Sequence, residues 1–368
     1  MAQNIVSGLN SHKNIERVLN ACGSKKPMLV CDGSFEFLNI KSYFEQSNFP
    51  YVRFDKFTSN PLYDDVCNGV DLFRSEHCDC IIAVGGGSAM DVAKCIKLFS
   101  GMDRAVNYLE QEKAETGVPL IAVPTTAGTG SESTRFAVIY YNGKKQSVAH
   151  QSIIPNHVIL DWSVLSTLPV YQKKCTMLDA LCQGIESWWS VNSTDESKGY
   201  AQNAVCAIVE NYKDYIFENK NGAAEKIMVA ANFAGRAINI SQTTAPHAMS
   251  YKLTSLYGIP HGHAVAVCLP KVWRFMTEHT DKCIDNRGKD YLLGVFEGIA
   301  KALGAVDIQS AITRFEGILA ELEISAPKSN VNDLGVLASS VNPVRLVNNP
   351  VRLDEADLTE LYKQILNL

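Results

Sequence analysis

No stretch of this 368-residue chain approaches the ~20 consecutive apolar residues that a membrane-crossing helix needs, so no membrane partner is expected. The first residues, MAQNIVSGLNSHKNIERV, lack the apolar core of an export signal. Basic residues do not predominate: 34 Lys and Arg stand against 39 Asp and Glu, a net charge of -5. Binding to nucleic acid draws on clustered positive charge that displaces counterions, so no nucleic-acid partner is expected. Internal repeats of 20 to 50 residues and low-complexity tracts are also missing. Cysteine is plentiful, but its number, 11, is odd and its members sit in apolar runs such as MLVCD and AVAVCLP. That is the distribution of reduced core thiols rather than a disulfide framework, and it implies a cytoplasmic protein. The pair Cys78 and Cys80 has no second pair beside it and does not make a zinc site.

What remains is an ordinary globular composition, 46% hydrophobic and 20% charged, in a chain long enough for two domains. Short apolar runs (PMLVCD, YVRFDKF, CDCIIAVGG, VPLIAVPTT, RFAVIYY, HVILD) alternate with amphipathic stretches such as LYDDVCNGVDLFRSEH and AMDVAKCIKLFS. That alternation predicts βαβ units and a mostly parallel sheet. Beyond LSTLP the patterns become long and helical, as in KCTMLDALCQGIESWW. The expected architecture is an α/β domain with a mostly parallel sheet over 1–165 and an all-α domain over 166–368.

Two loops follow buried strands in the first part. Gly85, Gly86, Gly87 and Ser88 lie between CDCIIAV and a helical stretch, where backbone N–H groups and a helix N-terminus can face a pyrophosphate. Ser88 can both cap that helix and bond a phosphate oxygen. The spacing is neither that of G-x-G-x-x-G nor that of a Walker loop. The second loop, PTTAGTGSE, puts four hydroxyls and two glycines at the end of VPLIAV, where open α/β sheets bind ligands. In the second part, Asp179 and Gln183 share a helix face, and His247 and His261 follow. A carboxylate and two imidazoles suit one divalent metal, Zn²⁺ or Fe²⁺, that polarises an oxygen. Read singly, His247 suits a helix cap, and His261 a satisfied core position, better than either suits a metal ligand.

Five motifs in this order, FTSNP, CDCIIAVGGGSAMDVAK, PLIAVPTTAGTGSESTRFAVI, LDALCQGIES and HAMSYKLTSLYGIPHGHAVAVCLP, resemble the iron-containing (group III) alcohol dehydrogenase family. The resemblance covers most of the chain and implies a NAD(P)-dependent alcohol dehydrogenase acting on a small aldehyde or alcohol. It implies that Gly86, Gly87 and Ser88 hold the pyrophosphate, with Asp91 toward the nicotinamide. Thr125, Thr126, Thr129 and Ser131 would line the dinucleotide path, with Lys145 at the ribose and Asn60 at the border. Asp179, His247 and His261 would bind the metal. Two departures stand out: Gln183 where most members carry histidine, leaving an optional fourth ligand, and Tyr251 where many carry a second histidine. Proton transfer then falls to Tyr251, His263 or solvent. Homodimers occur in the family.

Asp32, at the end of MLVC, would accept hydrogen bonds from a ribose 2′-hydroxyl and repel a 2′-phosphate, which favours NAD(H), while Arg53 leaves NADP(H) open. The tracts DALCQGIESWWSVNSTDESK and SYKLTSLYGIPHGHAVAV most resemble the phosphonoacetaldehyde reductase branch, which implies reduction of 2-phosphonoacetaldehyde to 2-hydroxyethylphosphonate. Its dianion requires fixed positive charge, for which Arg135 and then Lys252 and His263 are the candidates. The alternatives are a reductase of another short-chain aldehyde or semialdehyde, and a catalytically weak dinucleotide-binding homologue.

Overall fold

The computed structural model describes residues 3–368. The chain forms two compact units, one ending at Leu168 and taking in Asn219–Met228, the other made of Pro169–Glu218 and Val229–Leu368.

Among the described residues the first unit has eight strands: β1 (Asn4–Ser7), β2 (Pro27–Cys31), β3 (Val52–Phe54), β4 (Cys80–Gly85), β5 (Leu120–Pro124), β6 (Phe136–Tyr141), β7 (Lys144–Ala149) and β8 (His157–Leu160). Six of them make one sheet in the order β1-β8-β5-β4-β2-β3, with every pair parallel. β2, β4 and β5 are buried along their whole length, and their continuous apolar sequences are those of strands covered on both faces. The helices are α1 (Ile15–Cys22), α2 (Lys41–Glu45), α3 (Tyr63–Ser75) and α4 (Gly87–Phe99). After β2 the chain moves outward to β3, and after β4 it moves the other way to β5. The strand order therefore reverses between β2 and β4, which leaves a crevice at their C-terminal ends.

RFAVIYY does not join this sheet. Its strand, β6, pairs antiparallel with β7 as a separate hairpin. Asn142 and Gly143 connect the two strands with φ of 49° and 70°, the left-handed pair that a tight two-residue turn requires.

The second unit is helical, with α5 (Val170–Trp189), α6 (Asp195–Ile216), α7 (Asn221–Ser241, whose first turns group with the other unit), α8 (Ala245–Tyr257) and α9 (His261–Glu278). They are followed by α10 (Lys289–Ala302), α11 (Ile308–Glu321), α12 (Leu334–Ser339), α13 (Pro343–Leu346) and α14 (Glu355–Leu366). A mostly parallel α/β part followed by a helical part is thus the fold. Among the described residues no helix is long and apolar enough to cross a membrane.

Candidate active site

The two loops of the first unit lie side by side because β4 and β5 are neighbours. Thr125 N–H donates to the Gly85 carbonyl at 3.0 Å. A Cβ on Gly86 would sit 3.5 Å from Thr126 Cγ2, and one on Gly87 3.2 Å from Thr129 Cγ2. At Gly85 a Cβ would come within 2.6 Å of Ala89 Cβ and 3.6 Å of Asp32 Oδ2, so Asp32 borders the loop. Ser88 does not cap α4. Gly86 is the cap and carries no side-chain cap bond, while Ser88, one residue inside, donates its hydroxyl to the Ser59 carbonyl at 2.5 Å. That bond draws the segment holding Asn60, whose carbonyl accepts from Thr58 Oγ1, against the glycine loop. The first-turn N–H groups of α4, with glycine on both sides of the cap, suit a bound phosphate.

Below the loops lies a buried polar cluster. Asp91 accepts from Ser131 Oγ at 3.0 Å and from Val138 N–H at 2.9 Å, and burial pushes its pKa up. Lys94 Nζ donates to Ser131 Oγ (2.9 Å), Thr134 Oγ1 (3.0 Å) and the Phe136 carbonyl (2.8 Å). Burial lowers its pKa to about 8 despite the carboxylates of Asp91 and Glu132. The hairpin brings Lys145 within electrostatic reach of Asp91. Lys94 was not singled out from the sequence, although it stands one helical turn beyond Asp91. Thr129 Oγ1 accepts from Ser131 N–H at 3.3 Å, completing the loop's inner bonding.

In the second unit α5, α8 and α9 bring Asp179, His247 and His261 together, with one ligand-type atom from each lying within 4.8 Å of the others. Asp179 and His247 are buried, and the His261 side chain is 35% exposed, which makes its side the approach to the cluster. Close approach of α9 to α5 makes this possible. A Cβ on Gly262 would fall 1.9 Å from the Cys175 carbonyl oxygen and 2.9 Å from Asp179 Cβ, so only glycine fits there.

His247 Nδ1 lies 2.5 Å from Glu186 Oε1, which turns Nε2 toward Asp179 Oδ1 at 3.3 Å. Glu186 also accepts from Thr244 N–H (2.8 Å) and Thr244 Oγ1 (2.9 Å) at the start of α8. It went unnoticed in the sequence, though it follows Asp179 by seven residues and so shares its helix face. A carboxylate on the far nitrogen of a histidine is the usual support for a metal-binding imidazole. Burial opposes an imidazolium at His247, but Glu186 and Asp179 prevail and its pKa is pushed up to about 9. Burial likewise opposes ionised Asp179, yet His247, His261 and the Gln183 amide hold it below the usual carboxylate range. Gln183 thus hydrogen-bonds the candidate ligand Asp179.

Asp179 Oδ1 and His247 Nε2 are buried and have no hydrogen-bond partner. Buried polar atoms are almost always satisfied, and one divalent cation between these atoms and His261 would satisfy them, so the residues fit a metal.

The other expected residues divide. Tyr251 stacks on His261 with ring centres 5.5 Å apart and planes 4° from parallel. His263, two residues beyond His261 on α9, faces elsewhere: Nδ1 meets Tyr171 Oη and Nε2 meets the Ser325 carbonyl, each at 2.7 Å. With both nitrogens held, it does not join the cluster. Lys252 makes no side-chain ion pair or hydrogen bond among the described residues. Arg135, half-buried, lies over the Phe136 ring at 5.2 Å in the first unit.

The family described as iron-containing alcohol dehydrogenase matches residues 2–162, and the C-terminal part of the Fe-containing alcohol dehydrogenase family matches 174–366. Phosphonoacetaldehyde reductase of Streptomyces viridochromogenes is 32% identical over 313 residues, covering 81% of this chain and 79% of that protein. 1,3-Propanediol dehydrogenase of Citrobacter freundii is 27% identical over 370 residues, covering 93% and 92%. The crystal structure of sulfoacetaldehyde reductase from Bifidobacterium kashiwanohense in complex with NAD+ superposes with a TM-score of 0.88 at 25% identity, covering 99% of this chain and 97% of that one.

Proposed function

Because the chain belongs to the iron-containing alcohol dehydrogenase family, we propose that it reduces a short-chain aldehyde bearing an acidic group, 2-phosphonoacetaldehyde first among them, to the alcohol with NADH. The observation that carries the chemistry is the trio Asp179, His247 and His261, whose buried Asp179 Oδ1 and His247 Nε2 face each other at 3.3 Å without a regular hydrogen bond and would be satisfied by a cation. A divalent metal held there would supply Lewis-acid polarisation of the carbonyl oxygen.

The chain's own residues do the rest. Glu186 fixes the His247 tautomer and Gln183 steadies Asp179. Gly86, Gly87 and the Thr125–Ser131 loop hold the dinucleotide, with Asp32 at the ribose. Arg53 is taken up by Glu36 (2.7 Å) and Asp55 (3.0 Å), which supports NADH over NADPH because it is not at hand to receive a 2′-phosphate. Tyr251, stacked on His261, is the better placed of the two side chains considered for the proton, since His263 is tied to Tyr171 and Ser325.

The test is oxidation of NADH and NADPH by Fe²⁺-loaded and Zn²⁺-loaded protein offered phosphonoacetaldehyde, sulfoacetaldehyde, propanal and succinic semialdehyde. The highest kcat/KM is expected with NADH and phosphonoacetaldehyde, and His261→Ala is expected to lose bound metal and turnover together. Preference for propanal would discard the acidic-group assignment. Full turnover by metal-free protein would discard the metal.

A further inference from the structure

Arg345 lies on α13, Pro343–Leu346. The backbone that carries it is fixed. Asn342 caps α13 by accepting from Val344 N–H at 2.9 Å. Buried Asn348 accepts from Asn192 Nδ2 at 2.8 Å and donates to the Thr243 carbonyl at 3.2 Å, just before α8. Buried Asn349 donates to the Val351 carbonyl at 2.7 Å. α13 is thereby anchored beside the helix that bears His247 and Tyr251.

From this position Arg345 Nη1 donates to Tyr251 Oη at 3.1 Å, and the guanidinium carbon stands 5.1 Å from the Tyr251 ring centre. Tyr251 in turn lies flat on His261, on the more open side of the metal trio. Arg345 is therefore one aromatic ring away from a candidate metal ligand. The hydrogen bond to Tyr251 occupies one of its five N–H donors, and no carboxylate among the described residues pairs with it. By contrast Arg287 is saturated by Asp285, Ser193 and two further carbonyls. A half-buried guanidinium held in place, short of counter-charge and beside the reacting end of a site, is suited to an anionic substrate group, whose paired oxygens match its fork.

We propose that Arg345 is the specificity residue that binds the substrate's acidic group, a phosphonate or a sulfonate, while the aldehyde end lies at Asp179, His247 and His261. Tyr251 acts as the positioning residue that presents the guanidinium beside His261. The inference rests on the reduction of an acidic aldehyde proposed above.

The test compares wild type, Arg345→Ala, Arg345→Lys and Arg135→Ala in two measurements. One is the ratio of kcat/KM for phosphonoacetaldehyde to that for propanal. The other is calorimetric binding of 2-hydroxyethylphosphonate to the metal-loaded, NAD+-bound enzyme. In Arg345→Ala the ratio is expected to fall about 10- to 100-fold, mainly through KM, with the dissociation constant rising in parallel. Arg345→Lys keeps the charge without the fork and is expected to recover part of both. A wild type indifferent to the acidic group would overturn the substrate reading and the anchor with it. A wild-type preference that survives in Arg345→Ala, or is lost only in Arg135→Ala, would overturn the anchor alone.

Discussion

The two units handle buried charge in opposite ways. Under the glycine loop, Asp91 and Lys94 lie in one network in which each carboxylate oxygen of Asp91 and the ammonium of Lys94 has its partner within the chain. In the helical unit, Glu186 is as fully engaged, but Asp179 Oδ1 and His247 Nε2 have no hydrogen-bond partner. The first arrangement shapes a backbone that can receive an extended anion, and its side chains are a scaffold. The second arrangement keeps side-chain atoms in reserve for a cation. A closed network beneath a loop and an incomplete network at a helix junction thus mark two kinds of ligand.

The contrast can be broken at several points. The largest effect is expected from Gly262→Ala, since a Cβ 1.9 Å from the Cys175 carbonyl oxygen forces α9 off α5. A loss of about 3 kcal/mol or more in unfolding free energy, measured by urea denaturation, should come with loss of bound metal. Glu186→Gln leaves the three ligands and removes the charge behind His247, so metal affinity in a competitive chelator titration should weaken about 10- to 100-fold. Gly87→Ala tests the other side. Its Cβ would press on Thr129 and the space for the pyrophosphate, so KM for NADH should rise about 10-fold while metal content stays unchanged.

Lys94 gives an effect that is spread over the pH scale. Its pKa of about 8 in the folded chain lies below the ordinary lysine value of 10.5. Between these values the unfolded chain binds a proton that the folded chain does not. This group's share of stability is therefore constant below that window and rises with pH across it. The unfolding free energy of wild type relative to Lys94→Met should rise from pH 8 to 10 by up to about 1.4 kcal/mol per unit. A flat difference would mean that the ammonium stays charged and the first network is more polar than its burial implies.

Much of the fold was legible in the sequence, because glycine turns after buried strands and polar residues spaced along one helix face are local patterns. The buried runs PMLVC, CIIAVG and LIAVP announced the parallel sheet, and Asp179, His247 and His261 could be named from their motifs. The supporting residues were harder. Glu186 acts on a histidine 61 residues away, and Arg345 meets a tyrosine 94 residues away, distances at which periodicity carries no information. Ser88 was misread as a cap because hydroxyls favour that position, whereas the turn here needs glycine and its hydroxyl goes to the Ser59 carbonyl instead. The Asn142–Gly143 pair in YYNGKK was a hairpin signal within reach, obscured by reading RFAVIYY as one more strand of the main sheet.

Asp179, Gln183 and Glu186 lie on one face of α5 across two helical turns. A single inserted or deleted residue between them would rotate everything beyond it by about 100° and carry Glu186 away from His247 while Asp179 stayed in place. A change of length along this stretch is therefore expected to cost the site more than a substitution at any one position, because it displaces every side chain beyond it at once.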